Sequence, residues 1–240
     1  MSDRICFIIV SHGKLNCYEY QSFFFNRFSK ILDYDIIIYD NSNASEKEIK
    51  EYTKNFNKQP IIFAQKPNPG YYLGNFSALR DIHSTIHLEN YKYVVHMTND
   101  SFIVDENPLN DHMVNMDIQR ADILTNQFCF LPENHTYLKK PTMCFGGDFF
   151  VYNPRSLTFS FWNTLCGMGS FAPEYTFYKL ATELEMVVFY WIRMHPTIDG
   201  RVLCAPTVEQ RKGYRYRYNA DTAGIHHTHD LEDLHKYMNK

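Results

Sequence analysis

The chain has 240 residues, a net charge of −3 and an aromatic content of 16%, with 18 Tyr and 19 Phe. That length suits one domain with a large core and hardly two. The near-balanced charge offers no footprint for nucleic acid, and the composition carries no signature of disorder. The cysteines, Cys6, Cys17, Cys129, Cys144, Cys166 and Cys204, form no CxxC pair and read as free thiols of a reducing compartment. The apolar run near the N-terminus is too short for a secretory or membrane-spanning segment. A soluble, cytoplasmic protein is expected, with peripheral membrane association left open.

Residues 5–10, ICFIIV, form a continuous apolar run ending in Ser11-His12-Gly13. This is the pattern of a strand buried on both faces of a parallel sheet. Apolar positions at helical spacing follow from Cys17 to Leu32. YDIIIYDNSN is a second strand, ending in Asp40-Asn41. Glu46 to Phe56 reads as a charged helix and Pro60 to Ala64 as a third strand. This βαβαβ order predicts a right-handed parallel sheet with helices on its faces. Asn68-Pro69-Gly70 is a turn signal, and a helix is predicted from about Leu73 to Leu88.

The most informative stretch is YVVHMTNDSFIVDENPL, ending at Leu109. A bulky strand from Tyr93 to Met97 breaks into Thr98-Asn99-Asp100-Ser101. That break sets a carboxylate at the carboxyl edge of the sheet, where open α/β sheets bind ligands. Oxygen donors there suit Mg²⁺ or Mn²⁺, which neutralise phosphate, so a nucleotide-linked substrate is expected. Residues 121–128 and 143–157 suggest strands of a mixed sheet. Phe171 to Met194 carries the strongest helical spacing, through Leu180, Leu184, Val187, Val188, Trp191 and Ile192. Arg201 to Ala205 reads as a short strand. The basic, Tyr-rich run that follows, with Arg211, Lys212, Arg215 and Arg217, reads as a loop able to close over a diphosphate.

Taken in order, these segments resemble the family-2-type glycosyltransferases, which have the GT-A fold. ICFIIVSHG, YDIIIYDNSN and NPGYYLGNFSALRD resemble that family's nucleotide-binding strands and turn. YVVHMTNDSFIVDENPL resembles its DxD metal strand, GGDFFVYNPRSL its acceptor-side strand, and TELEMVVFYWIRMH its catalytic helix. The match covers about residues 4–205. The triplet Thr98-Asn99-Asp100 has one carboxylate where the family often has two or three.

The resemblance implies an α/β GT-A domain over 1–240. Residues 1–105 would bind the nucleotide sugar, 106–208 the acceptor, and 209–240 would form a lid and tail. It implies transfer of a sugar from a UDP- or GDP-sugar donor to a glycan or other hydroxyl acceptor, aided by Mn²⁺ or Mg²⁺ and inverting. Nucleotide-binding candidates are Ser11, His12, Asp40, Asn41, Gly70, Asn75, Asn99, Asp100 and Arg211. Ordinary turn and cap chemistry is the rival account for Asp40, Asn41 and Asn75. The metal candidates are Asp100 with His227 or His229. Glu183 and Glu185 are the candidates for the acceptor base. Two residues apart on a helix they point in different directions, and the resemblance favours Glu183. A sugar-phosphate nucleotidyltransferase, or an inactive sugar-nucleotide-binding module, is the alternative.

Overall fold

The computed structural model describes residues 3–67, 71–130, 142–168, 173–193, 197–198, 201–202 and 224–239. Strands β1 (Ile5–Ser11), β2 (Tyr34–Asp40), β3 (Ile61–Phe63) and β4 (Tyr93–Thr98) run parallel in the order β3-β2-β1-β4. The sheet continues through β8 (Phe149–Tyr152), antiparallel to β4, to β6 (Ile123–Phe130), β7 (Thr142–Phe145) and β9 (Val188–Arg193). A minor pair joins β5 (Ser101–Ile103) to β12 (Ile225–His227), and another joins β10 (Thr197–Ile198) to β11 (Arg201–Val202). The expected mixed α/β sheet flanked by helices is present.

Alternation along β1 divides the core. Ile5, Phe7 and Ile9 face one cluster with Tyr18 and Phe25 of α1 (Cys17–Phe25), Ile49 of α2 (Glu46–Thr53), and Leu109, Met113 and Met116 of α4 (Glu106–Gln119). Cys6, Ile8 and Val10 face the other. There they meet Phe76, Leu79 and Ile82 of α3 (Tyr71–His83), Trp162 of α5 (Phe159–Gly167), and Phe177 of α6 (Pro173–Glu183). Each such apolar side chain contributes roughly 1.5–3 kcal/mol when fully buried. Burial on both faces is why these strands read as unbroken apolar runs.

Three elements differ from the sequence reading. The helix expected over 171–194 stops at Glu183, Glu185 takes φ +53°, and the chain re-enters the sheet as β9. The run VVFYWI fits helical spacing, but its β-branched and aromatic residues pair in parallel with β6. Helices α4 and α5 were not expected. The exposed Val114 and Ile118 on α4 blur its periodicity.

Helix α4 is anchored at its first residue. The Glu106 carboxylate accepts from the Ser29, Lys30 and Ile31 backbone N–H groups and from the Ser29 hydroxyl. Burial pushes this carboxyl up, but these bonds outweigh it and the group lies below its ordinary value. A depressed folded-state pKa stabilises above the unfolded value and is lost as pH falls through the folded one. Glu106→Gln is therefore expected to cost about 2 kcal/mol at pH 7, the scale of lost charge-assisted bonds. Denaturant melts should show the gap from wild type narrowing below about pH 4. A constant gap between pH 3 and pH 7 would rule out the ionised nest.

Candidate active site at the carboxyl edge

The parallel strands end together, and their terminal polar residues are bonded to one another. Asn99 donates through Nδ2 to Ser11 Oγ at 3.2 Å and to the Lys14 carbonyl at 3.1 Å. His12 Nε2 lies 3.2 Å from Asn75 Oδ1, and Asn75 Nδ2 lies 3.4 Å from the Gly147 carbonyl. Asn41 Nδ2 approaches His12 Nδ1 at 3.5 Å. Gly74 permits this: a Cβ there would stand 2.8 Å from His12 Cε1 and 3.1 Å from Asn41 Nδ2. Ser11, His12, Asn41, Asn75 and Asn99 thus share one edge. Asp40 ends β2 beside them but has no exposed surface. It accepts from the Ser42 N–H and hydroxyl and from Tyr18 Oη at 3.4 Å. It shapes the turn after β2.

Asp100 lies two residues beyond β4. Its carboxylate takes His227 Nε2 at 3.0 Å on one oxygen and His229 Nδ1 at 2.9 Å on the other. Thr98 Oγ1 donates at 2.8 Å, and Lys14 Nζ stands 4.0 Å away. Burial pushes the carboxyl up, but the bonds from His227 and His229 outweigh this and hold it well below the usual carboxylate range. The histidines arrive because β12 pairs with β5 and the Thr228 N–H bonds the Asp100 carbonyl at 3.0 Å. Gly224 makes the entry: its φ is +66°, and a Cβ would meet the Asp105 carbonyl at 2.0 Å. Of the lid and tail implied over 209–240, residues 224–228 are buried and held, while 209–223, with the basic run from Arg211 to Arg217, lie outside the described residues.

A second acidic group is present that the sequence reading missed. Between β7 and β8, Gly146-Gly147-Asp148 bulges from the sheet, as bulges next to sites do. The Gly147 carbonyl accepts from His96 Nε2 at 3.1 Å. Burial lowers the His96 imidazole to about 3, so it is neutral and this nitrogen carries the proton. The Asp148 carbonyl accepts the Thr98 N–H at 2.9 Å. Glu174, in the first turn of α6, packs here: a Cβ on Gly147 would touch its Cγ at 3.4 Å. Burial, then the charge of Asp148, raises Glu174 to about 7. Pro173-Glu174 is a helix-start signal legible in sequence.

Glu183, expected inside a helix over 171–194, is the last residue of α6. It is exposed and lies 3.6 Å from Lys179 Nζ. Glu185 is exposed in the turn that follows. The two stand at the opposite end of α6 from Glu174, and the structure does not bring them to the strand-end network. Gly70 and Arg211 lie outside the described residues.

Asp100, His227 and His229 offer carboxylate and imidazole donors of the kinds that a divalent ion takes. Among the described residues no three His, Cys, Asp or Glu side chains form a ready-made cage. Imidazole donors favour Mn²⁺ over Mg²⁺.

No family profile and no curated protein matches the chain. Solved structures do. A mannosyltransferase from Pyrobaculum calidifontis, solved with GDP-Man and Mn²⁺, is similar with TM-score 0.50 and 10% identity over 89% of this chain. The chain spans 60% of that protein's length. Core-mannan synthase A from Aspergillus fumigatus, in a Mn/GDP form, gives TM-score 0.49 and 12% identity, covering 80% of this chain and 73% of that one. A protein provisionally named a nucleotide-diphospho-sugar transferase, from Desulfovibrio desulfuricans G20, gives TM-score 0.47 and 12% identity, with 79% and 80% coverage. With the carboxyl edge built as described and the likeness to the first of these, the chain has the GT-A fold.

Proposed function

We propose that the protein is a glycosyltransferase that moves a sugar from a nucleoside-diphosphate donor to a hydroxyl acceptor, with inversion and with a divalent metal. The carrying observation is Asp100, two residues beyond β4, with His227 and His229 on its two oxygens. A GT-A neighbour solved with GDP-Man and Mn²⁺ supports a donor of this class.

In this reading Asp100, His227 and His229 hold the cation, which when bound offsets the charge gathering on the departing diphosphate. Ser11, His12, Asn41, Asn75 and Asn99 line the nucleotide side, with Asp40 fixing the turn beneath. Glu174 takes the proton from the acceptor hydroxyl. An acid that titrates near the working pH is suited to that role, and Glu174 lies at about 7. Direct attack by the deprotonated oxygen on the sugar carbon inverts its configuration. Glu183 and Glu185, solvated at the far end of α6, are set aside as the base.

Thermal-shift measurements with UDP and GDP, with and without Mn²⁺, test this reading. A ligand that binds only the folded chain raises its melting temperature. The expected result is a shift for one diphosphate that requires Mn²⁺. No shift for either, with no release of sugar from UDP- or GDP-sugars, would reject it. Diphosphate binding with no turnover would favour the inactive binding module.

A further inference from the structure

The Lys14 ammonium stands 2.8 Å from His229 Nδ1 and 4.0 Å from Asp100 Oδ2, while the same Nδ1 is 2.9 Å from that carboxylate oxygen. These contacts compete. A carboxylate only accepts, and an ammonium only donates. If Nδ1 carries a hydrogen to satisfy Asp100, it faces the ammonium donor to donor. If it presents its lone pair to Lys14, it faces Oδ2 acceptor to acceptor. The conflict disappears when a cation takes the lone pairs of Nδ1 and Oδ2 together, and the ammonium must then withdraw.

The backbone beside it is well held. The Lys14 carbonyl accepts from Asn99 Nδ2 at 3.1 Å. Gly13, at φ +119°, turns the chain just before it. The Lys14 side chain itself is 48% exposed and can swing at small cost.

Resting on the donor reading above, we propose that Lys14 is a two-position cation. With no metal bound it fills the place beside Asp100 and His229. With metal and donor bound it moves onto the diphosphate, to which an ammonium gives charge-assisted hydrogen bonds. Lys14 therefore opposes metal binding alone and favours diphosphate binding once metal is present.

The two effects have opposite signs, which a merely structural lysine cannot produce. Lys14→Met keeps the length and removes the charge; Lys14→Arg keeps the charge. All three proteins should melt alike in EDTA. Mn²⁺ affinity without nucleotide, read by paramagnetic resonance of the free ion, should rise about fivefold in Lys14→Met, the scale of a like charge about 4 Å away in water. UDP or GDP affinity at saturating Mn²⁺, read by calorimetry, should fall about tenfold or more in Lys14→Met. In Lys14→Arg it should stay within about threefold of wild type. Affinities that both fall, or that both stay unchanged, overturn the proposal, as does a wild-type protein that binds no Mn²⁺. If wild type binds Mn²⁺ but neither nucleotide, the donor reading fails by itself. Inorganic pyrophosphate with Mn²⁺ then decides Lys14 by the same pair of signs.

Discussion

Asp100→Asn is expected to lose the Mn²⁺-dependent part of nucleotide binding and to lower turnover by roughly 10³, the upper range for removing one electrostatic contact to a developing charge. The fold should survive. The amide oxygen still accepts from His227, and the backbone bond from the Thr228 N–H to the Asp100 carbonyl does not involve the side chain. What changes is charge: an amide presents one neutral oxygen where the carboxylate presents two anionic ones. Thermal shift with UDP or GDP, repeated with Mn²⁺ and with EDTA, reads the effect. An undiminished Mn²⁺-dependent shift in a folded variant would remove Asp100 from the metal position, and with it the proposed mechanism.

Glu174→Gln is expected to cut turnover by about 10² or more, the usual loss for a missing general base, while donor affinity stays near wild type. In wild type the rate should fall as pH drops below about 7, where Glu174 takes up its proton. The same variant should be more stable than wild type at pH 8. The folded-state pKa is raised, so the folded chain binds the proton more tightly than the unfolded chain. Stability then declines as pH rises from the unfolded value through about 7. Glutamine removes that penalty, worth about 1–3 kcal/mol at pH 8. Loss of activity with gain of stability separates a base from a packing residue. Full activity in Glu174→Gln, with a large loss in Glu183→Gln or Glu185→Gln, would return the base to the far end of α6.

The first half of the fold is legible because β1, β2 and β4 are buried on both faces, and such strands leave apolar runs bounded by polar strand ends. The second half is harder because its signals are shared. The run from Val187 to Ile192 fits a helix by spacing, and only its pairing with β6 makes it a strand. Glu174 lies on a short polar helix start. Its raised pKa depends on the Gly146-Gly147-Asp148 bulge, which no local pattern announces. The His227-or-His229 alternative was open for a like reason. Spacing gives two residues on alternate positions, but their reach to Asp100 depends on the pairing of β12 with β5. That pairing lets each histidine take a different carboxylate oxygen.

Asp100 and its partner His227 are 127 residues apart in sequence. Strands β1 to β4 can pair while the chain is still being made, since their contacts lie within the first hundred residues and domains fold largely as their segments emerge. The cluster of Asp100, His227 and His229 cannot assemble on that schedule. A nascent chain shorter than residue 227 has Asp100 without either imidazole, and β5 without its pairing partner. Its open strand edge, with the apolar Phe102 and Ile103, is then a hazard for association with other chains. Synthesis of the last few residues of this region closes that edge and supplies the histidines in a single event, so the pairing of both imidazoles with Asp100 reports that the chain has been read through to β12.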